Sequence, residues 1–154
     1  MADLRFAATI DSVALSASTA RTVLQVRAPA GRRVKILGWS VFFDGQLVTA
    51  TPVAVSLVRQ ASAGTMTAYT SSSIATLNQV AETVQSTVRH TATVEPTAAT
   101  GEADVDYAKI HPQSGYEVKF PIGQEPIIPG AGYVGLVLTA AQAVNVSAKI
   151  ICEE

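Results

Sequence analysis

The chain has 154 residues, 48% of them hydrophobic and only 15% charged, which is enough for one domain with a dry core. A net charge of −1 gives no field to draw in nucleic acid, and the densest basic cluster, Arg32, Arg33 and Lys35, reads as a solvated turn. The single cysteine, Cys152, excludes an intrachain disulfide, and no apolar run approaches the roughly 20 residues of a membrane helix.

Residues 1–8 read as an arm in which Leu4 and Phe6 flank Arg5, suited to pairing at an edge or lying on a neighbour. The segment MADLRFAATI begins with an acid and lacks a basic stretch before a long apolar core, so it does not read as a signal peptide. Residues 9–16 form an expected strand whose apolar phase (Ile10, Val13, Leu15) needs a bulge at Asp11-Ser12. Residues 21–28 alternate, Thr22, Leu24 and Val26 opposite Val23, Gln25 and Arg27, and Pro29-Ala30-Gly31 turns the chain. Residues 33–43 are the longest apolar strand, expected at the centre, with Trp39 as core anchor and Gly38 marking a bend or a close backbone approach.

Asp44-Gly45 is a turn signal, residues 46–51 a loop, and residues 53–59 an alternating strand. After a loop at 61–64, residues 65–69 read as a short strand. In residues 70–88, Leu77, Val80, Val84 and Val88 have rough helical spacing, but Thr and Val are poor helix formers, which favours a long loop entering a strand over 83–94. Residues 95–106 are small, polar and acidic, a surface loop leading through residues 107–112.

The stretch 115–140 organises the rest. Tyr116, Val118 and Phe120 alternate with Glu117 and Lys119, Pro121 ends that strand, and Pro126 and Pro129 fix a corner. Residues 133–139 are apolar almost throughout, as in a strand covered on both faces. Residues 143–151 alternate, with Val144, Val146, Ala148 and Ile150 inward and Asn145, Ser147 and Lys149 outward. About eight strands at roughly 10-residue spacing predict an all-β, jelly-roll-like sandwich or barrel of antiparallel strands, one domain over 9–154 behind the arm 1–8, with strand order left open.

Chemistry is sparse. His90 and His111 lie in different elements without the third ligand a metal site needs. Glu102, Asp104 and Asp106 alternate but lack the glycine and carbonyl pattern of a calcium loop. No nucleophile elbow, phosphate loop or paired-cysteine motif is present, and Cys152 ends an apolar strand as a small core filler. Tyr69, Tyr107, Tyr116 and Tyr133 are dispersed. The residues predict no catalytic, cofactor or metal site, and a weakly charged surface suited to assembly.

The pieces VKILGWSVFFDG (34–45), VRHTATVEPT (88–97), HPQSGYEVKFPIGQEPIIPG (111–130) and VSAKIICEE (146–154) resemble a family of small proteins that tailed bacteriophages encode near their head genes. The family resembles jelly-roll decoration or cement proteins. The resemblance implies a non-enzymatic virion protein, made in the host cytoplasm, that binds the outside of the head and stabilises it as a homotrimer. Its partners would be the major capsid protein and itself, with no cofactor, nucleic acid or membrane. The expected capsid or subunit contacts are Leu4, Arg5 and Phe6 in the arm and Glu95, Tyr107 and His111 in the loop 95–112. Two other readings fit the same pattern. One is a glycan-binding virion module centred on Tyr107 with Asp104, Asp106 and Gln113; the other is a head–tail connector or minor tail protein.

Overall fold

The computed structural model describes residues 4–44, 51–70, 74–78, 82–100 and 104–154. Their strands are β1 (Arg5–Leu15), β2 (Ala20–Arg27), β3 (Val34–Phe43), β4 (Val53–Gln60), β5 (Thr65–Ala68), β6 (Ala75–Thr76), β7 (Thr87–Val94), β8 (Asp104–Ile110), β9 (Tyr116–Lys119), β10 (Ile127–Ile128), β11 (Tyr133–Thr139) and β12 (Val144–Glu153). They form two antiparallel sheets. One runs β6-β1-β12-β3, with β9 and β10 sharing the far edge of β3; the other runs β5-β7-β2-β11-β4-β8.

Setting aside β5, β6 and β7 and treating β9 and β10 as one edge, eight framework strands remain. In chain order the path crosses between sheets at each step except β4 to β8, giving 1-12-3-9/10 facing 2-11-4-8. That is the winding of a jelly roll. The all-β sandwich predicted from strand spacing is therefore the observed architecture. It is open rather than closed, since β8 and β9 border the same flank without a ladder between them.

The core lies where the inner faces meet. Ile36, Trp39, Val41 and Ile150 of the first sheet face Leu24, Leu57, Leu136 and Leu138 of the second, all buried. Each such side chain is worth about 1.5–3 kcal/mol relative to exposure. The strand β11 is central, paired with β2 and β4, which is why its sequence is apolar on nearly every residue. The predicted bulge is present: the β1–β12 register shifts between Ile10 and Val13, and Ser12 takes φ 51°. The alternation of β12 and the burial of Trp39 and Cys152 also match the expectation.

Four expectations change. Residues 5–8 are not an arm. They open β1, which lies between β12 and β6, and Leu4 and Phe6 are fully in the core, because their apolar side chains find a dry face there. Residues 1–3 lie outside the described residues, as do the Asp44-Gly45 turn's glycine and residues 46–50 of the loop after it. As favoured for residues 70–88, no helix occurs among the described residues there and Leu77 is exposed, but the strand expected over 83–94 begins only at Thr87. The acidic loop is shorter than predicted, since Asp104–Asp106 enter β8. Finally, the inner face of β9 is only partly dry: Tyr116 is 41% exposed, because an edge strand has no neighbour on one side.

Gly38 fixes the β3–β9 contact. A Cβ there would sit 2.3 Å from the Val118 carbonyl oxygen, closer than any packed atom tolerates. Gly38→Ala is expected to displace β9 and cost about 1–3 kcal/mol as an overpacked site, read as a Tm lowered by several degrees. An unchanged Tm would mean that β9 does not bear on β3.

Candidate functional site

One surface open to a partner is the flank bordered by β8 on one sheet and β9 and β10 on the other. Edge strands present backbone groups that must be capped, covered or paired. Two contacts hold the sheets together along this flank. The Trp39 indole N–H donates to Asp106 Oδ2 at 2.9 Å, and Arg59 Nη1 donates to the Ile127 carbonyl at 2.8 Å. Asp106 also accepts from the Tyr107 backbone N–H through Oδ1 at 2.9 Å, so one carboxylate caps part of the edge and satisfies the buried indole. The Tyr116 ring lies 5.5 Å from Trp39 at 47°, capping the core's aromatic anchor from the solvent side.

Around these fastenings lie apolar side chains with little cover. Tyr107 is 52% exposed, Ile127 42%, and Ile122, in the turn between β9 and β10, 99%. Charge near them is modest: Lys119 pairs with Glu117 at 3.3 Å within β9. The turn itself is ordered by Gln124 N–H to the Pro121 carbonyl at 2.9 Å and Gly123 N–H to Glu125 Oε2 at 2.7 Å. Ile122 is thus presented on a braced corner built by the Pro121 and Pro126 punctuation.

The residues predicted as contacts separate. Tyr107 is on the flank. His111 follows β8, half-buried, its Nδ1 accepting from Gln113 N–H at 3.2 Å and its carbonyl from Ser114 N–H at 2.9 Å, a turn-forming role. Glu95 is occupied elsewhere: its Oε2 accepts from Thr22 N–H at 2.9 Å and Thr22 Oγ1 at 2.6 Å, tying the end of β7 to β2. Leu4 and Phe6 are buried in the chain's own core and are unavailable as contacts. Arg5 is exposed but committed to Glu153, Nε to Oε2 at 2.8 Å.

Of the groups named with Tyr107 for a glycan site, Asp106 has each carboxylate oxygen in one hydrogen bond, while Gln113 is exposed. Asp104 is exposed and Glu102 lies outside the described residues, and no group of three or more metal-ligating side chains occurs among the described residues. His90 packs against the Tyr69 ring at 4.6 Å, and burial lowers its pKa. Burial also pushes the Cys152 thiol far up, so it stays protonated and inert. Sequence reasoning missed the Trp39–Asp106 bond, which joins residues 67 apart in chain. Comparison with family models, curated proteins and solved structures finds no match to the chain.

Glu153 sits between Arg5 and Lys35 on the three adjacent strands β1, β12 and β3, with Lys35 Nζ to its Oε1 at 3.0 Å. Burial alone would raise its pKa. The hydrogen bonds and positive charges of Arg5 and Lys35 outweigh burial and hold it below the ordinary glutamate value. A depressed carboxylate pKa stabilises the fold above the unfolded-state value, and that contribution disappears as pH falls through the folded one. Both cations are about half exposed, which screens the pair to about 1 kcal/mol or less. Between neutral pH and about pH 3, wild type is expected to lose more urea stability than Glu153→Gln; parallel curves would show that Glu153 does not couple to folding.

Proposed function

We propose that the chain is a non-enzymatic structural protein of a virion, a decoration protein that binds the outside of a phage head and stabilises it. It assembles as a homotrimer, and its partners are the major capsid protein and its own copies. It needs no cofactor, is made in the host cytoplasm and ends on the capsid surface.

The observation that carries this reading is the open flank, where the edges of both sheets meet solvent beside exposed Tyr107, Tyr116, Ile122 and Ile127. An exposed edge with apolar side chains is a liability in a free monomer and an asset at an interface. The low charge content of 15% favours contact made by area and shape over long-range steering. The phage-like segments 34–45 and 111–130 cover β3, β9 and β10, three of the strands that build the flank.

The contact moves accordingly. With residues 4–8 inside the sheet, clamping falls to the flank and its proline corner rather than to an N-terminal arm. Tyr107→Lys and Ile122→Glu place charge on exposed positions and should leave the fold intact. Each is expected to lower co-sedimentation with empty expanded heads by tenfold or more while circular dichroism and Tm stay near wild type. Undiminished decoration by the double variant would place the contact elsewhere. A ring of six or twelve copies would favour a connector.

A further inference from the structure

We propose that the outer face of the β1–β12–β3 sheet is a glycan-binding groove, distinct from the flank. A depression of about 470 Å³ lies there, bordered by Asp11, Ser40, Phe42, Tyr69, Ser147 and Lys149 among others. Its size is that of a small-molecule site. It is complete in one chain and needs no capsid.

Strand register builds its floor. Thr9, Lys149 and Ser40 are consecutive cross-strand partners on β1, β12 and β3, and Ser147 and Phe42 form the next row. One wall comes from the segment following β5: the Tyr69 hydroxyl donates to the Thr9 carbonyl, and its ring rests on His90. The other is Phe42, half exposed and braced by Gly115, where a Cβ would come within 2.2 Å of the ring. Glycine at 115 therefore sets the ring's position.

Three polar groups on this surface have unused capacity. The Ser40 hydroxyl is 2% exposed and has no hydrogen-bond partner. A buried hydroxyl left unpaired is costly, and a ligand group would relieve it. Lys149 has no ion pair among the described residues. Asp11 is oriented by the Ser147 hydroxyl on Oδ1, and Ser147 in turn accepts from the Ser12 N–H at 3.2 Å, leaving Asp11 Oδ2 as an acceptor.

These groups select a ligand class. A purely apolar partner would leave an ammonium, a carboxylate and a hydroxyl unsatisfied. A nucleic acid would meet Asp11 with Lys149 as the one cation among the described residues that line the groove. A sugar meets all the demands together. Its C–H face stacks on the Phe42 ring, while its hydroxyls donate to Asp11, accept from Lys149 and do either with Ser40.

The test is a glycan array of neutral and carboxylated sugars probed with the full chain, followed by titration of each hit by NMR. Phe42→Leu, which keeps bulk against Gly115, and Lys149→Ala are each expected to weaken the hit at least tenfold. Ser40→Ala is expected to weaken it while leaving Tm unchanged or raised, a pattern that a purely structural serine would not give. No hit on the array overturns the proposal, as does a hit retained by all three variants. Concentration-dependent shifts of Phe42 and Lys149 resonances without sugar, marking a second copy seated in the groove, would overturn it too.

Discussion

A two-sheet sandwich leaves strand edges whose backbone N–H and C=O groups must find partners, and the rest of this structure follows from how they do. On one flank the chain supplies its own cover. The segment between β4 and β8 extends the second sheet with β7 and β5 and adds β6 to the outer edge of β1. Leu77 N–H bonds the Arg5 carbonyl at 2.8 Å, and the Asn78 side chain accepts from the Arg5 N–H at 2.8 Å. On the other flank β9 and β10 pair with β3, but nothing among the described residues pairs beyond β8 or β9. Among the described residues both flanks thus end in unpaired edges, β5 and β6 on one and β8 with β9 and β10 on the other. The basis for reading the latter as the side turned toward partners is its exposed Tyr107, Tyr116, Ile122 and Ile127.

The inserted segment is held by polar contacts as well as by strand pairing. Gln25 Nε2 donates to Gln60 Oε1 at 2.7 Å and to the Ser62 carbonyl at 3.1 Å, and Gln60 Nε2 reaches Thr22 Oγ1 at 3.2 Å. The network ends at Glu95. Gly135 makes room for it, since a Cβ there would lie 2.4 Å from Gln60 Oε1. A second tie is the Glu154 carboxylate, which accepts from the Gln85 and Ser86 N–H groups at 2.6 and 3.0 Å and from the Ser86 hydroxyl. Gln25 Oε1 is left without a partner, but the remaining groups of these ties are matched, and matched buried polar groups specify one arrangement because a slip leaves them unpaired. That arrangement sets Tyr69 against β1, so the same insertion that covers an edge also walls the groove.

The parts of the fold governed by period and local chemistry were legible in the sequence. The alternation of β12, the all-apolar β11, the Asp11-Ser12 bulge and the close approach at Gly38 each have a local cause, and each is present. Strand order was not legible, because winding depends on which sheet each strand joins. Residues 1–8 misled for a related reason: Leu4 and Phe6 carry the same apolar pattern whether they lie on a neighbour or in their own core. Of the predicted contacts, Tyr107 reached the flank, whereas Glu95 was claimed by Thr22 and Arg5 by Glu153. Such pairings join residues 73 and 148 apart in chain, beyond any local signal. The groove was invisible for the same reason, being assembled from β1, β3, β12 and Tyr69.

The central claim is that the flank of β8, β9 and β10 is the partner-binding surface of the chain, through which it joins its own copies as well as the head. Light scattering on a sizing column tests it most directly, with wild type and Tyr116→Lys run side by side. The account predicts a wild-type mass three times the 16.0 kDa of one chain and a variant that falls to a folded monomer. A wild type that stays monomeric at every concentration, or a trimer that survives the substitution, would contradict it.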